Sequence, residues 1–489
     1  MHFSSTDLID YPFRLAEGAK TTFFPTPMSP LSELDQNYIR YPQLWLLLII
    51  VAYVAIATNF AVKTPAWQAP DEPAHYNYIA DIATHRALPV LQREDYDQRC
   101  LEELVNAKFP PDRTIDCLRY EAYQPPIYYL MGALVYRLSG GSLLALRLFG
   151  VGVGAGILLL CYYCLKLVFP DKPLVTIGAT AFTAFLPMHV AVTASVTNDA
   201  FAELVLLAVI AVLLHWTRLQ FLSPAPLGPQ QRWQLLFLGF LLGVGLLTKI
   251  YAYVLVPLTL LAILVTVWQG QRTWQGLWRG VQLGLWVLLP ALLLGLPWWV
   301  RNLQLYGGWD FLGLAWHDTV VVGQPRTSDW IANFGVMRYS ERAFRFTFQS
   351  FWGVFGWMGV FMDERIYTAM LIFTGVLFLG LLWTLIRLIS GKPDTDIDDY
   401  QRWVLFFFGV IVLAVIAGYI WYNTKFVQHQ GRYFFWGLVP ISTFVALGWR
   451  EVMRPLQGLI TGFLAVVLAV ALSIAGMASG GLNKWTILT

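Results

Sequence analysis

Eleven apolar runs govern what this 489-residue chain can become; they lie at roughly 43–62, 145–168, 174–194, 200–217, 233–248, 251–268, 281–299, 367–388, 403–421, 434–449 and 456–476. A helix needs about 20 apolar residues to cross about 30 Å of hydrocarbon. Inside that layer every backbone N–H and C=O must be satisfied within the segment, which favours helices. The runs therefore predict an all-α polytopic membrane protein of about 11 transmembrane helices. Composition agrees: 57% of residues are hydrophobic and 13% charged, against about 25% charged in a soluble domain. The charges gather in the gaps between runs. A net charge of +3 is too small to suggest nucleic acid. The stretch 233–268 reads as one long helix, a broken pair or a re-entrant element.

Orientation follows from Lys and Arg in the short gaps. With Arg14, Lys20 and Arg40 inside, the even-numbered gaps hold Lys166 and Lys172, Arg218 and Arg232, Arg272 and Arg279, Arg387 with Lys392 and Arg402, and Arg450 with Arg454. Residues 1–42 are then a cytoplasmic tail, with the first span serving as an uncleaved signal. Residues 43–476 form a single membrane domain, and 477–489 a C-terminal tail. Two long segments face outward, 63–144 and 300–366. Within the first, the stretches Ala74 to His85 and Pro126 to Leu138 are expected to form extracytoplasmic juxtamembrane helices on the membrane surface.

Polar residues stand out against this background. Asp71 and Glu72, followed by His75, open the first outer segment; adjacent carboxylates can act as general bases or bind a metal. The alternative is capping, with Asp71 as N-cap and Pro73 in the first turn. Glu121 and Gln124 precede the pair Pro125-Pro126, which forces a turn and starts a helix. Asp199 lies in the hairpin Ser195–Asp199, where it serves equally as a cap. Lys249 interrupts an apolar stretch, where a lysine is costly and so a candidate functional group, unless it snorkels. Arg301 and Arg432 fall at the outer ends of their spans, and a guanidinium suits bidentate phosphate binding. Asp71, Glu121, Asp199, Lys249, Arg301 and Arg432 come from six segments and share the outer side. Carboxylates and cations together suit a substrate with an anionic phosphate and a hydroxyl to be deprotonated.

These motifs resemble the C-type superfamily of polytopic glycosyltransferases, and within it the bacterial protein-mannosyltransferase-like branch that uses polyprenyl-phosphate sugars. The resemblance spans about 43–440. It rests on Pro70-Asp71-Glu72-Pro73-Ala74-His75-Tyr76, Gln124-Pro125-Pro126-Ile127-Tyr128-Tyr129, Leu246-Leu247-Thr248-Lys249, Trp299-Val300-Arg301-Asn302, the run from Ser350 to Met358, and Gln430-Gly431-Arg432-Tyr433. It implies inverting transfer at the extracytoplasmic face to a lipid, glycan or protein acceptor. Asp71, with Glu72 beside it, takes the catalytic position. Lys249, Arg301 and Arg432 match positions that hold the donor phosphate, and His75, Glu121, Gln124 and Asp199 line the substrate site. Aminoarabinose-transferring relatives often carry a lysine where this chain has Gln124, which argues against that donor. No cofactor is implied; a divalent metal is compatible with the resemblance but not implied by it.

Competing readings are a transporter or lipid flippase, and a non-catalytic scaffold. A transporter places its charged sites near the bilayer midplane and shows internal repeats; here the charges sit at one surface and no repeat is evident. Cys100 and Cys117 share the first outer segment, where a disulfide can form; the sequence leaves their state open. Cys161 and Cys164 read as packing residues of the second span. The histidines show no metal-ligand spacing.

Overall fold

The computed structural model describes residues 39, 41–222, 228–390 and 397–453. The expected span at 456–476, residues 1–38, Arg40, Lys392, Arg454 and the tail 477–489 lie outside the described residues. The helices are α1 (Pro42–Lys63), α2 (Glu72–His85), α3 (Gln98–Asn106), α4 (Ile127–Ser139), α5 (Leu143–Val168), α6 (Pro173–Phe185), α7 (Pro187–Thr193), α8 (Asn198–Leu222), α9 (Pro229–Leu246), α10 (Tyr251–Gly270), α11 (Trp274–Tyr306), α12 (Leu314–Val320), α13 (Thr327–Trp352), α14 (Glu364–Ile389), α15 (Asp399–Asn423) and α16 (Leu438–Met453). A two-residue antiparallel hairpin, β1 (Val354–Phe355) and β2 (Val360–Phe361), pairs Val354 with Phe361.

Among the described residues seven helices are long and apolar enough to cross a membrane: α1, α5, α8, α10, α11, α14 and α15. The chain is a multi-pass membrane protein. The bent pair α6 and α7 is an eighth span if counted as one. That corrects the straight third span expected at 174–194. The break comes at Leu186, held extended (φ −68°, ψ 113°) before Pro187, and a residue preceding proline is pushed out of the helical region; the two halves meet at 64°. The described residues do not confirm the expected count of eleven. α9 and α16 overlap two further expected spans, with 18 and 16 described residues. The ambiguous stretch 233–268 resolves into two helices, α9 and α10, with Lys249 in the turn between them.

The bundle has two chemically distinct ends. α8 carries Asp199 near its start and Arg218 near its end, and its 25 residues span about 37 Å. At its far end Arg218 donates to the carbonyl of Leu167 at 2.7 Å, and Lys172 reaches Gln401 at 3.2 Å. At its near end lie the first outer segment and the turn that holds Lys249. Along its apolar stretch α8 is 72% buried and α14 17%, which puts α8 at the centre and α14 at the rim. Exposed Leu and Phe side chains on α1, α9, α11 and α14 form the lipid-facing surface.

Small residues permit close helix contact. A Cβ on Gly239 of α9 would come within 2.2 Å of the Val287 carbonyl on α11, and one on Gly243 within 2.7 Å of the Leu294 side chain. This G-x-x-x-G spacing lets two backbones approach where lipid offers no hydrophobic drive.

The first outer segment folds as α2, α3 and α4. The observed helices start at Glu72 and Ile127, within two residues of the expected starts. α4 leaves Leu130, Leu134 and Leu138 exposed, as suits a helix lying on a bilayer surface. Cys100 and Cys117 are joined by a disulfide, which ties α3 to the chain before Leu118. Trp357, in the turn of the β-hairpin, donates to the carbonyl of Trp67 at 2.9 Å. The second outer segment is thereby fastened to the first.

Candidate active site

Asp71 stands at the N-cap position of α2, but its side chain makes no cap hydrogen bond. Its φ of 66° is left-handed, a region that Asp tolerates better than most residues because of its short polar side chain. That backbone turns the carboxylate away from the helix. Oδ1 accepts from the Tyr120 hydroxyl at 2.8 Å, and Oδ2 from Arg432 Nη2 at 2.5 Å. The capping alternative is therefore not what this side chain does.

Arg432 bridges two acids. Its Nη1 is 3.9 Å from Asp199 Oδ2. The other oxygen of Asp199 pairs with the ammonium of Lys249, which also donates to Asn198 Oδ1 at 2.8 Å. Thr197, not Asp199, caps the start of α8, accepting from the Asp199 N–H. The result is a continuous chain, Asp71–Arg432–Asp199–Lys249, contributed by four segments. Its side chains are 24%, 8%, 16% and 12% exposed respectively, so all four are withdrawn from bulk solvent and none is sealed off. Gly431 makes the placement of Arg432 work. Its N–H donates to Ser350 Oγ at 2.8 Å, and a Cβ there would lie 2.2 Å from the Phe351 nitrogen.

Polar and aromatic groups surround the chain. Gln124 Oε1 accepts from Asn198 at 3.4 Å, and Gln124 Nε2 donates to the Tyr123 hydroxyl at 3.1 Å. The Tyr251 ring lies 5.4 Å from Lys249 and stacks on Trp436. The Arg432 guanidinium lies 5.6 Å from the Tyr433 ring. His75 is buried behind Asp71, with Nδ1 2.9 Å from the Tyr129 hydroxyl.

Asp71, Glu121 and His75 are each shifted from their ordinary values. Burial alone would raise the Asp71 carboxyl, but the Arg432 guanidinium, with the hydrogen bonds from Arg432 and Tyr120, outweighs it and holds Asp71 below the usual carboxylate range. Burial, joined by the neighbouring Asp71 carboxylate, pushes Glu121 up to about 8. Burial brings His75 down to about 3, against the pull of Asp71. At neutral pH Asp71 is thus ionised, Glu121 protonated and His75 neutral.

The Glu121 shift has a sign that can be checked. A carboxyl raised in the fold from 4.5 to about 8 imposes no cost below pH 4.5 and its full cost above 8. Stability should therefore fall as pH climbs through that window, by a few kcal/mol at most. Glu121→Gln should flatten the dependence. Melting temperatures of wild type and variant between pH 4.5 and 9 decide it; parallel curves would remove Glu121 as the source.

Two expected site residues lie elsewhere. Glu72, read as a catalytic partner of Asp71, is fully buried and points the other way. Arg147 donates to its two oxygens at 2.8 and 2.6 Å, and the Val196 N–H adds a third bond at 3.2 Å. Consecutive residues at a helix start face different directions, so neighbours in sequence did not become neighbours in the site. Arg301, expected on the donor phosphate, has no contact with the charge chain. It donates to the Pro89 carbonyl at 2.7 Å and stacks over Trp298 at 4.6 Å. It does bring the first outer segment and the end of α11 together on one side of the bundle. Among the described residues no three of His, Cys, Asp and Glu group as metal ligands. Asp71 and Asp199 each face a cation, Arg432 and Lys249 respectively.

Some participants were not anticipated. Tyr120 and Asn198 carry no distinctive signal. Arg147 had one: an arginine inside the apolar run from Leu143 is costly unless paired. The same holds for His189 and Glu203, which meet within the bundle at 3.1 Å.

Comparison with known proteins agrees with this architecture. Residues 123–298 match the family model described as dolichyl-phosphate-mannose-protein mannosyltransferase. The Archaeoglobus fulgidus oligosaccharyltransferase, in its complex with Zn and sulfate, superposes with a TM-score of 0.52 at 13% identity. The chain shares the fold of that oligosaccharyltransferase. That alignment covers 88% of this chain and 53% of the oligosaccharyltransferase, so the chain spans about half of that protein's length. The form of the same enzyme tethered to an acceptor peptide gives 0.52 at 12% identity, over 92% and 55%. ArnT from Cupriavidus metallidurans bound to undecaprenyl phosphate is similar at 17% identity over 84% of this chain and 78% of ArnT, with a TM-score of 0.35. No curated protein matches the chain.

Proposed function

We propose that this chain is a membrane glycosyltransferase that moves a sugar from a polyprenyl-phosphate donor to a hydroxyl of a lipid, glycan or protein acceptor. The observation that carries this reading is the half-buried chain Asp71–Arg432–Asp199–Lys249. Its four members come from distant segments and meet at one end of the bundle. Two cations flanked by two carboxylates can receive a phosphate monoanion and leave a basic oxygen for the acceptor. The description of the family model supports a lipid-phosphate sugar as donor. Outward placement of the site is supported by Lys166, Lys172, Arg218 and Arg402, which belong to the opposite end.

In this mechanism the acceptor hydroxyl attacks the anomeric carbon and passes its proton to the Asp71 carboxylate. The bond between that carbon and the phosphate oxygen breaks, and the electron pair leaves with the polyprenyl phosphate. Lys249 and Arg432 stabilise the charge that builds on the phosphate. Asp199 holds both cations in place, and Asn198 with Gln124 positions Lys249. Glu121, protonated at neutral pH, has a buried Oε2 with no hydrogen-bond partner and can donate to a phosphate oxygen. His75 supports α2 through Tyr129, and Arg301 anchors the first outer segment one layer out.

Lys249→Gln tests the phosphate contact. A hydrogen bond to a charged group is worth about 1.5–3 kcal/mol, so the KM for a farnesyl-phosphate sugar should rise about 10- to 100-fold. Steady-state transfer by purified protein in nanodiscs measures this across a panel of sugars. An unchanged KM would remove Lys249 from the donor site, and no transfer by wild type from any member would sink the glycosyltransferase reading.

A further inference from the structure

A second set of polar groups lies in the loop that precedes Arg432. His429 is 4% exposed, and neither ring nitrogen has a hydrogen-bond partner. Gln430 Oε1 is likewise buried and unpaired, although its Nε2 donates to Gln428 at 2.6 Å. Arg342 of α13, three residues beyond Tyr339, acts on His429 through its charge and has an unpaired, buried Nε. Each buried unpaired group costs about 1–3 kcal/mol, so four such atoms in one small region call for a partner.

Aromatic rings frame the same region. The Tyr339 ring is 4.8 Å from His429. The Arg342 guanidinium lies 4.1 Å from the Phe346 ring and 5.6 Å from Trp330. Trp330 also forms a wall of a cavity of about 380 Å³ lined by Pro325, Arg326, Asp329 and Asn333. α13 bends at Gly335, where φ is 82°, and this folds Trp330 back towards Tyr339 at 6.3 Å between rings.

The chemistry of the unpaired atoms selects among ligands. Burial keeps His429 neutral at physiological pH, with its pKa down at about 4. It then offers one N–H and one lone pair. Gln430 adds an acceptor and Arg342 a donor. A phosphate only accepts, so it would meet the Gln430 oxygen and the imidazole lone pair without a hydrogen to share. A hydroxyl both donates and accepts, and an indole wall suits the C–H face of a sugar ring.

We propose that His429, Gln430, Arg342, Tyr339 and Trp330 form a pyranose-binding subsite, separate from the phosphate-facing charges. The proposal rests on the glycosyltransferase reading and adds where a sugar ring is held. The unpaired atoms are shut from bulk water, so binding includes a shift of the loop 428–430. The sugar is either the donor's own or that of a glycan acceptor.

Saturation-transfer NMR on the full chain in nanodiscs, with methyl α-D-mannopyranoside as probe, tests it. Wild type should show transfer, and His429→Leu and Gln430→Leu should each weaken it at least about five-fold, the loss of one hydrogen bond. Gln430→Leu guards against misfolding of the His429 variant. Affinities for farnesyl phosphate and farnesyl-phosphate mannose then identify the source. A donor subsite weakens only the mannose-bearing lipid in the variants, and an acceptor subsite weakens neither lipid while mannoside binding falls. Absence of transfer in wild type, or equal transfer in wild type and both variants, overturns the subsite. Wild type that binds the mannoside but neither lipid overturns the glycosyltransferase reading and leaves the subsite standing.

Discussion

Asp71→Asn should lower kcat for sugar transfer by about 10²- to 10⁴-fold, the usual worth of a positioned general base. The substitution is informative because it spares the backbone. Asp71 sits at φ 66°, and Asn is among the few residues that accept the left-handed region readily. Its amide oxygen can still accept from Tyr120 or Arg432. What disappears is the negative charge and the basicity. Arg432 would then keep only Asp199 as a counter-charge, and a donor phosphate would compete with one carboxylate fewer. The KM for the donor should therefore stay level or fall while kcat drops. That pattern marks a group acting in the transition state and not in ground-state binding. A kcat within two-fold of wild type would remove Asp71 from the chemistry and leave it a partner of Arg432.

The sequence made the membrane spans legible because hydrocarbon imposes length and polarity limits that few other constraints override. It brought Asp71, Asp199, Lys249 and Arg432 together by topology, since each falls where an apolar run ends on the same side. Pair geometry was not legible. Whether Asp71 caps α2 or leaves it depends on one φ angle. The direction of Glu72 depends on where Arg147 lies, 75 residues on. Arg301 matched a motif, yet the first outer segment folds so that Pro89 captures its guanidinium. The third span looked continuous because hydropathy is blind to the conformational bias that Pro187 places on Leu186. In each case the deciding contact is long-range or local to the backbone, and an apolarity profile carries neither.

Arg147→Ala should destabilise the protein by about 3–5 kcal/mol, the cost of stripping one partner from a buried ion pair. The Arg147 and Glu72 side chains are 4% and 0% exposed. Arg147 also donates to the carbonyls of Ala61, Thr64 and Pro65 at 3.0, 2.6 and 3.0 Å. It thus closes the C-terminal end of α1, where carbonyls lack helical partners, while Glu72 draws in the start of α2 and the backbone of Val196. One guanidinium fixes three segments, and Asp71 is the next residue in the chain. Loss of Arg147 leaves a buried carboxylate without a counter-charge and frees the stretch that aims Asp71. Thermal unfolding in detergent should show the drop, and transfer activity should fall with it. The double variant Arg147→Met with Glu72→Gln removes both charges at once and should recover much of the stability, because the uncompensated carboxylate is gone. It should not restore full activity, since the carbonyls of α1 stay open and the approach to Asp71 stays loose. If Glu72 instead takes part in the chemistry, Glu72→Gln alone would cut kcat while the melting temperature held steady, and its assignment as a structural anchor would fail.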